Sequence, residues 1–296
     1  MNEPPVIVGL GEVLWDVYPD GAHFGGAPAN FACHSASLGG DAWMVSAVGA
    51  DALGDRALAA LGERHVHGDH VQRDATHATG QVRVTLGATG QPRYDIAFDT
   101  AWDHIAWTDA LAACAVRCDA VCFGTLGQRS PKSRATIRRF VEATPQGALR
   151  VFDVNLRQSF HDAETIDASL RLASAVKLND EELPIIGDLC GLRGHTPRET
   201  LRALMARYGL RLAALTCGAR GALLMDDRGE DECLAPSLAA VDTVGAGDAF
   251  TATLVAGVLR GLPLSDINVH ANAVASFVCS QAGATPPLPA YLRSCA

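Results

Sequence analysis

The sequence predicts an α/β protein in which helices cover both faces of a mostly parallel, doubly wound sheet. Short apolar runs, such as VIVGL (6–10) and DAVCFG (119–124), alternate almost throughout with helical patterns, such as SPKSRATIRRFVEA (130–143). Strands buried on both faces of a parallel sheet have near-continuous apolar sequences, and each needs a crossover to reach the next parallel strand. The 296 residues, 48% of them hydrophobic, are enough for one large core. We therefore expect one domain, 1–296.

The predicted elements follow a strand–helix order along the chain. The segment PANFACHSASLGG (28–40) predicts a helix with Pro28 near its start and with Gly39 and Gly40 past its end. Proline is favoured at the first position of a helix, and glycine is favoured just beyond the last. Ser130 is the predicted N-cap of its helix. The remaining predicted strands are AWMVSAVG (42–49), LRVFDVN (149–155), AVKLN (175–179) and RLAALTCG (211–218), and the remaining predicted helices are DALGDRALAALGE (51–63) and AFTATLVAGVLRG (249–261).

Two stretches interrupt this order and predict a small β lid. VLWDVY (13–18) alternates in polarity and leads into PDGAHFGG (19–26), which favours a turn. QVRVTLGATGQPRYDIAF (81–98) predicts two strands around a turn at residues 88–90. Neither stretch has a helical partner. We expect about 13–25 and 80–100 to form a flap, and such flaps often cover a binding site.

Composition excludes several classes of partner. The formal net charge of −9 argues against nucleic acid. No run approaches the ~20 apolar residues of a membrane span, and the N-terminal MNEPPVIVGLGE lacks the pattern of a secretory signal. The nine cysteines contain no CxxC pair and suit a reducing cytoplasm. His65, His67 and His70 lie close together, but a polar loop explains them better than a metal site, since no further ligand pattern completes it.

Polar side chains follow three of the predicted strands. Asn155 and Arg157 follow VFDV, Asn179 follows VKL with Glu182 soon after, and LAALT ends in a threonine, Thr216. Ligands of open parallel sheets bind beyond the carboxyl ends of the strands. The sequence therefore predicts one shared cleft at that edge of the sheet.

The segment DTVGAGDAF (242–250) places small residues before an apolar helix. The first amides of a helix lack intrahelical partners and carry the positive end of its dipole, and small residues let an anion approach them. Gly245, Ala246 and Gly247 are thus a candidate anion hole, and Asp248 is placed to accept a proton from an attacking hydroxyl group. The alternative is that Asp248 only caps the helix and the glycines only form a turn.

These residues resemble the signatures of the ribokinase-type (PfkB-type) carbohydrate kinases. DTVGAGD (242–248) is similar to the C-terminal signature of that family, and GGAPAN (25–30) is similar to the other signature. The resemblance continues through VGADALGD (48–55), FDVNLR (152–157), KLNDEE (177–182) and TCGARGA (216–222). It implies a ribokinase-like three-layer αβα sandwich, a mostly parallel sheet with a small β-strand lid, and a homodimer formed through that lid in many members.

The resemblance implies roles for the residues around the sugar. Asp248 is the base that deprotonates a sugar hydroxyl group, while the amides of 245–247 stabilise charge on the transferring phosphoryl group. Asp16 and Asn30 match positions that bind sugar hydroxyl groups, and the pair Gly25 and Gly26 matches positions where the ring approaches the backbone. The alternatives are an exposed strand residue for Asp16 and a helix cap for Asn30.

It also implies a nucleotide and metal site for ATP and Mg²⁺. Asn179 and Glu182 match an NxxE motif that organises Mg²⁺ through water, and oxygen ligands with retained water suit this ion; a solvated helix start is the alternative. The other matching positions are Thr216 and Gly218 near the triphosphate, Asn272 near the adenine, and Asp242 with the Val244 carbonyl as ligands of a monovalent cation, usually K⁺. Asn272 is alternatively a polar helix residue. Arg157 is placed to reach a phosphate or, alternatively, to form a structural ion pair, and Arg220 receives no role. Because no GxxxxGK[ST] pattern occurs, backbone turns and Mg²⁺ must hold the nucleotide.

Three further segments resemble bacterial fructokinases: GEVLWDVYPDG (11–21), YDIAFDTAWDHI (94–105) and FGTLGQRSP (123–131). They imply ATP-dependent phosphorylation of fructose at the 6-hydroxyl group. Alternative acceptors are ribose, 2-keto-3-deoxygluconate or a nucleoside. Two other classes stay open, a sugar-binding homologue without catalysis and a nicotinamide-dependent sugar oxidoreductase.

Overall fold

The computed structural model describes residues 3–18, 21–86, 92–192 and 196–294. Its strands are β1 (Val6–Leu10), β2 (Leu14–Tyr18), β3 (Gly21–Gly25), β4 (Asp41–Gly49), β5 (Val71–Asp74), β6 (Gly80–Leu86), β7 (Pro92–Ile96), β8 (Ala120–Phe123), β9 (Leu149–Asp153), β10 (Ala175–Asn179), β11 (Leu212–Thr216), β12 (Ala222–Asp226) and β13 (Glu230–Cys233). Its α-helices are α1 (Ala27–Ser37), α2 (Ala52–Glu63), α3 (Asp109–Ala115), α4 (Pro131–Ala143), α5 (Ala163–Leu172), α6 (Glu182–Leu189), α7 (Pro197–Tyr208), α8 (Ala246–Leu259) and α9 (Leu264–Cys279).

The large sheet has nine strands in these residues, in the order β13-β12-β11-β10-β9-β8-β1-β4-β5. Every pair from β11 to β5 is parallel, and β12 and β13 add an antiparallel edge. The predicted mostly parallel α/β sheet is confirmed. All its parallel strands end at one edge, where the predicted polar residues collect.

Helices pack on both faces of this sheet, so the domain has three layers. Neighbouring residues of a strand point to opposite faces, and Ile7 and Val8 of β1 accordingly belong to different cores. Val8 packs in the core that includes Phe140 of α4, while Ile7 packs in the core that includes Phe31 of α1 and Phe250 of α8. The second core brings the beginning and the end of the chain together, because α1 and α8 lie in contact.

A second, four-stranded sheet has the order β3-β2-β6-β7 and is built from the two stretches predicted as a lid. The prediction of a turn over 19–26 is wrong for 21–25, which forms β3 antiparallel to β2. Its glycines favour a turn, but the ladder with β2 and the edge-on contact between the Phe24 and Trp15 rings stabilise a strand instead. Strands β6 and β7 pair antiparallel as predicted. The predicted turns at 19–20 and 88–90 lie outside the described residues.

Helix boundaries lie close to the residues that were predicted to begin or end each helix. Pro28 lies in the first turn of α1, and Gly39, just beyond that helix, has a left-handed φ of 90°. Ser130 occupies the N-cap position of α4, although its side chain makes no capping hydrogen bond. A helix able to cross a bilayer is not found among the described residues.

Candidate active site

The first turn of α8 forms the centre of the candidate site. Gly245 precedes this helix with a left-handed φ of 80°, and a Cβ atom there would collide with the Ala284 carbonyl oxygen. The position therefore requires glycine for both its conformation and its space. Ala246, Gly247 and Asp248 follow in the first turn, where helix amides lack intrahelical partners. The predicted anion hole and the predicted base are adjacent.

Gly245→Ala is expected to lower the free energy of unfolding by clearly more than Gly261→Ala and to lower kcat strongly. Gly261 also has a left-handed φ, 70°, but nothing lies within 4 Å of an added Cβ atom. Gly261→Ala should therefore lower the free energy of unfolding only by the conformational cost of a left-handed alanine, about 1–2 kcal/mol. Gly245→Ala has the same cost, and its Cβ atom also displaces the first turn of α8. Urea unfolding and steady-state kinetics measure both. Equal losses in the two variants would contradict the steric argument.

Asp248 contacts a residue from the opposite end of the chain. The Asn30 side-chain amide of α1 donates a hydrogen bond to Asp248 Oδ2 over 2.8 Å, and Asn30 is buried. Burial, followed by the charge of Asp153, raises the pKa of Asp248 to about 6. A carboxyl group with this pKa is largely ionised at neutral pH and is a better proton acceptor than an ordinary aspartate. Asn30 thereby holds the candidate base instead of capping its own helix.

Removing the Asn30 amide is expected to shift the pH profile. With the wild-type chain, kcat/KM should fall below a midpoint of about pH 6, where Asp248 becomes protonated. The Asn30 hydrogen bond lowers the pKa of Asp248, so Asn30→Ala should raise that pKa and move the acid limb to higher pH. The measurement is kcat/KM from pH 5 to 9. An acid limb that stays in place or moves to lower pH would contradict this role.

A buried ion pair beneath the helix entrance is a feature that sequence reasoning missed. Lys177 of β10 lies opposite Asp153 of β9, with Nζ 3.2 Å from Oδ1, and both side chains are buried. An added Cβ atom on Gly247 would lie 3.0 Å from Lys177 Nζ. Burial favours the neutral amine, but the carboxylates of Asp153, Glu182 and Asp248 outweigh it and raise the pKa of Lys177. The ammonium group therefore stays charged directly beneath the anion hole.

Thr251 ties this pair to the helix. Its Oγ1 lies 2.8 Å from Asp153 Oδ2 and 2.9 Å from the Gly247 carbonyl oxygen, and its hydrogen can be donated to either. A lysine inside the apolar run AVKLN was the available signal for the pair, because a buried strand admits a charge only when a partner neutralises it.

The two residues of the NxxE motif bind each other's backbone. Asn179 Oδ1 accepts hydrogen bonds from the amides of Glu181 and Glu182, and Glu182 Oε2 accepts one from the Asn179 amide. Glu182 Oε1 accepts a further hydrogen bond from the Leu156 amide. The motif thus fixes the loops after β9 and β10 against each other. Glu182 is buried, so the alternative of a solvated helix start is wrong for this residue.

The lid side of the cleft carries Asp16 of β2. Burial, which outweighs the nearby charge of Arg157, raises the pKa of Asp16 to about 6. Asp16 is half-buried, not an exposed strand residue. An added Cβ atom on Gly25 would lie 2.7 Å from Asp16 Oδ2, so a side chain there would displace the Asp16 carboxylate. Gly26 has a φ of 108°, and the Glu12 carbonyl oxygen would lie 2.5 Å from a Cβ atom added there.

Arg157 and Glu12 complete the charges of the cleft. The positive charge of Arg157 lowers the pKa values of Glu12, Asp16 and Asp248. Glu12 follows β1, is buried, and has an Oε2 atom without a hydrogen-bond partner among the described residues. Burial raises its pKa to about 7. Sequence reasoning missed Glu12. The available signal was the presence of a charged residue just after an apolar strand.

The remaining predicted residues lie at the end of β11, in the turn that follows it, and just before α8. Thr216 ends β11, Gly218 has a φ of 57° in the following turn, and Arg220 pairs with Asp180 at 2.5 Å. The carboxylate of Asp242 accepts hydrogen bonds from the amides of Val244 and Gly283.

Asn272 lies inside α9. It is buried, and its amide donates hydrogen bonds to the carbonyl and side-chain oxygens of Asn268. The ligand roles implied for all these residues stay predictions.

The fold and the site together define a phosphotransferase with an alcohol acceptor. Residues 20–291 match the model of the pfkB family carbohydrate kinases, and the chain belongs to that family. The fructokinase of Klebsiella pneumoniae is 31% identical over 267 residues, covering 86% of this chain and 85% of that protein.

Solved structures support the same family. The crystal structure of an uncharacterized sugar kinase from Pyrococcus horikoshii is 28% identical, has a TM-score of 0.81, and covers 95% of this chain and 93% of that one. A structure of that kinase in complex with ATP is 27% identical, with a TM-score of 0.76 and the same coverage. A fructokinase of Vibrio cholerae with bound fructose, ADP and calcium has a similar fold, with a TM-score of 0.80 at 24% identity over 97% of each chain.

Proposed function

We propose that this carbohydrate kinase is an ATP-dependent fructokinase, which transfers the γ-phosphoryl group of ATP to the 6-hydroxyl group of fructose. The observation that carries the chemistry is the position of Asp248 in the first turn of α8, beside the helix amides, where Asn30 donates a hydrogen bond to its carboxylate and burial raises its pKa to about 6. The sugar-kinase relatives support the reaction class, and the Klebsiella fructokinase supports fructose as the acceptor.

The residues of this chain would act in one in-line step. Asp248 takes the proton of the 6-hydroxyl group, whose oxygen forms a bond to the γ-phosphorus as the bond to the bridging oxygen of ADP breaks. The amides of 245–247 stabilise the charge of the transferring group, and removal of one such donor typically costs about 10²–10³ in rate. Asp16 and Asn30 would orient the sugar. The products are fructose 6-phosphate and ADP, with the proton left on Asp248.

The charges of the cleft fit a divalent cation. The carboxylates of Asp153, Glu182 and Asp248 act on the single ammonium group of Lys177, so the polyphosphate of ATP would bring further negative charge to a cluster that already holds three carboxylates. Glu182 would hold Mg²⁺ through water beside Asn179, and the bound ion would neutralise charge on the phosphate oxygens. Thr216 and Gly218 would contact the triphosphate, and Asn272 would lie near the adenine.

Three finer points extend the proposal. Asp242 and the Val244 carbonyl would bind K⁺ where this member uses a monovalent cation. The four-stranded lid would close over fructose and pair with a second copy of the chain in a homodimer. The described cysteines, such as Cys33 and Cys122, are free thiols, which suits a cytoplasmic enzyme.

A coupled assay of ADP release tests the acceptor. Fructose, ribose, 2-keto-3-deoxygluconate, mannose and nucleosides are compared at equal concentration with ATP and Mg²⁺. We expect the highest kcat/KM for fructose. If ribose or the sugar acid exceeds fructose by more than about tenfold, the acceptor is wrong while the kinase class stands, since one factor of ten is only about 1.4 kcal/mol of transition-state binding. Fructose phosphorylated at another hydroxyl group, detected by NMR of the product, would contradict the 6-position.

A further inference from the structure

The base of the lid carries a group of three metal-ligating side chains, His77, Asp99 and His104, called here the lid-base cluster. His77 lies just before β6 and Asp99 just after β7, so these two residues bracket the lid hairpin. His104 ends the short 3₁₀-helix Ala101–His104 that leads back into the main domain. The cluster thus joins both ends of the hairpin to the domain beneath it.

The three ligand atoms lie at distances close to those around one bound ion. Asp99 Oδ1 lies 2.7 Å from His104 Nε2 and 3.8 Å from His77 Nε2, and all three ligand atoms lie within 4.8 Å of one another. Ligands bound to zinc at about 2.0–2.1 Å in a tetrahedral site are separated by roughly 3.3–3.5 Å. The distance from Asp99 to His104 is shorter than this separation, and the distance from Asp99 to His77 is longer.

Asp74 orients one of the imidazoles. Its Oδ2 lies 2.8 Å from His77 Nδ1. The carboxylate oxygen accepts the Nδ1 hydrogen, which leaves His77 Nε2 as the lone-pair atom on the side of Asp99. Carboxylates commonly orient metal-binding histidines in this way.

The rings of His77 and His104 are stacked, with centroids 3.6 Å apart and planes 12° from parallel. Stacked imidazoles direct their lone pairs side by side, so binding of one ion by both requires one ring to rotate. The His104 side chain is 22% exposed, and its Nε2 lies 2.7 Å from Oδ1 of the exposed Asp99 carboxylate, so this rotation would break the hydrogen bond between them. The ion would replace the hydrogen that His104 donates to Asp99.

The histidines singled out by the sequence, His65, His67 and His70, do not form such a group. His67 pairs with Asp41 at 2.9 Å and stacks on Trp43, with centroids 4.3 Å apart. Within the part of the chain that the structure describes, the lid-base cluster is the one set of three ligands that converges.

We propose that the lid-base cluster binds a Zn²⁺ ion through His77 Nε2, His104 Nε2 and Asp99 Oδ1, with water in the remaining position. Imidazole and carboxylate ligands suit zinc and related transition metals, whereas the Mg²⁺ used with ATP prefers oxygen ligands alone. The ion is therefore chemically distinct from the one at the phosphates. Its effect is to fasten the two ends of the lid hairpin to each other and to the main domain.

Zinc titration of the full-length, chelator-treated protein tests the site, with no nucleotide or sugar present. Isothermal titration calorimetry is expected to show one Zn²⁺ per chain, with affinity lowered at least about tenfold in His77→Asn and in His104→Asn. The matched control, His67→Asn, removes a histidine that also pairs with an aspartate and should bind Zn²⁺ like the wild type. Circular dichroism confirms that each variant is folded.

Several outcomes would overturn the assignment: no binding to the wild type, unchanged binding in His104→Asn, or an equal loss in His67→Asn. Co²⁺ in place of Zn²⁺ provides a second readout, since a thiolate charge-transfer band would place the ion on cysteine instead. Hydrogen exchange of β6 and β7 is expected to slow when Zn²⁺ is added to the wild type and to stay unchanged in His104→Asn. Kinase activity with the sugar panel is a separate readout, so failure of this site leaves the proposed function untouched.

Discussion

Asp248→Asn is expected to lower kcat by at least about 10²-fold while sugar binding survives. General-base catalysis contributes about 10²–10⁴-fold, and asparagine cannot accept the hydroxyl proton. The shape of the residue is kept, so α8 and its amides should stay in place. Steady-state ADP release gives kcat, and calorimetry with fructose gives the dissociation constant.

Asp266→Asn is the matched control, because Asp266 lies in the first turn of the neighbouring helix α9 and is exposed. It should leave kcat unchanged. Near-normal turnover in Asp248→Asn would exclude the proposed base. Loss of sugar binding together with turnover would instead indicate that Asp248 mainly holds the substrate.

Lys177→Met is expected to lower the free energy of unfolding by about 3–5 kcal/mol. Removal of one partner of a buried ion pair leaves the other charge buried without compensation. Here Asp153 would keep only Thr251 as a side-chain partner, in the sheet directly beneath the anion hole. Urea unfolding followed by tryptophan fluorescence measures the loss.

The double variant Lys177→Met/Asp153→Asn tests the cause. It removes the uncompensated charge, so it should be more stable than Lys177→Met alone. Lys132→Met, at an exposed position of α4, should leave stability within about 0.5 kcal/mol of the wild type. A double variant no more stable than Lys177→Met would show that packing of the lysine stem, not its charge, stabilises the fold.

The strands of the main sheet could be predicted because their positions are set by local composition. VIVGL and DAVCFG are apolar throughout, as strands buried on both faces must be, and they form β1 and β8. β3 could not be recognised in this way, since GAHFG has a turn-like composition and becomes a strand only by pairing with β2. The edge strand β13, EDEC, is polar and depends in the same way on β12.

The site was predictable where the signal was a contiguous motif and not where it depended on tertiary contacts. DTVGAGD indicates the amides and the base, because all of these groups lie within one turn of α8. The partner of that base, Asn30, lies 218 residues away, and only the family resemblance placed both in one site. Asp153, Lys177 and Glu12 were missed because burial and mutual charge, which sequence alone does not give, decide their chemistry.

The packing of α1 against α8 also bears on how the protein is made. The two helices come from opposite ends of the chain, so their contact has one of the largest loop-closure costs in the molecule. On the ribosome α1 emerges before α8, so the buried side chains Phe31 and Leu38 lack this partner until α8 has been synthesised. The emerging polypeptide is therefore expected to need chaperone protection until α8 has emerged, and truncation before α8 should yield aggregates.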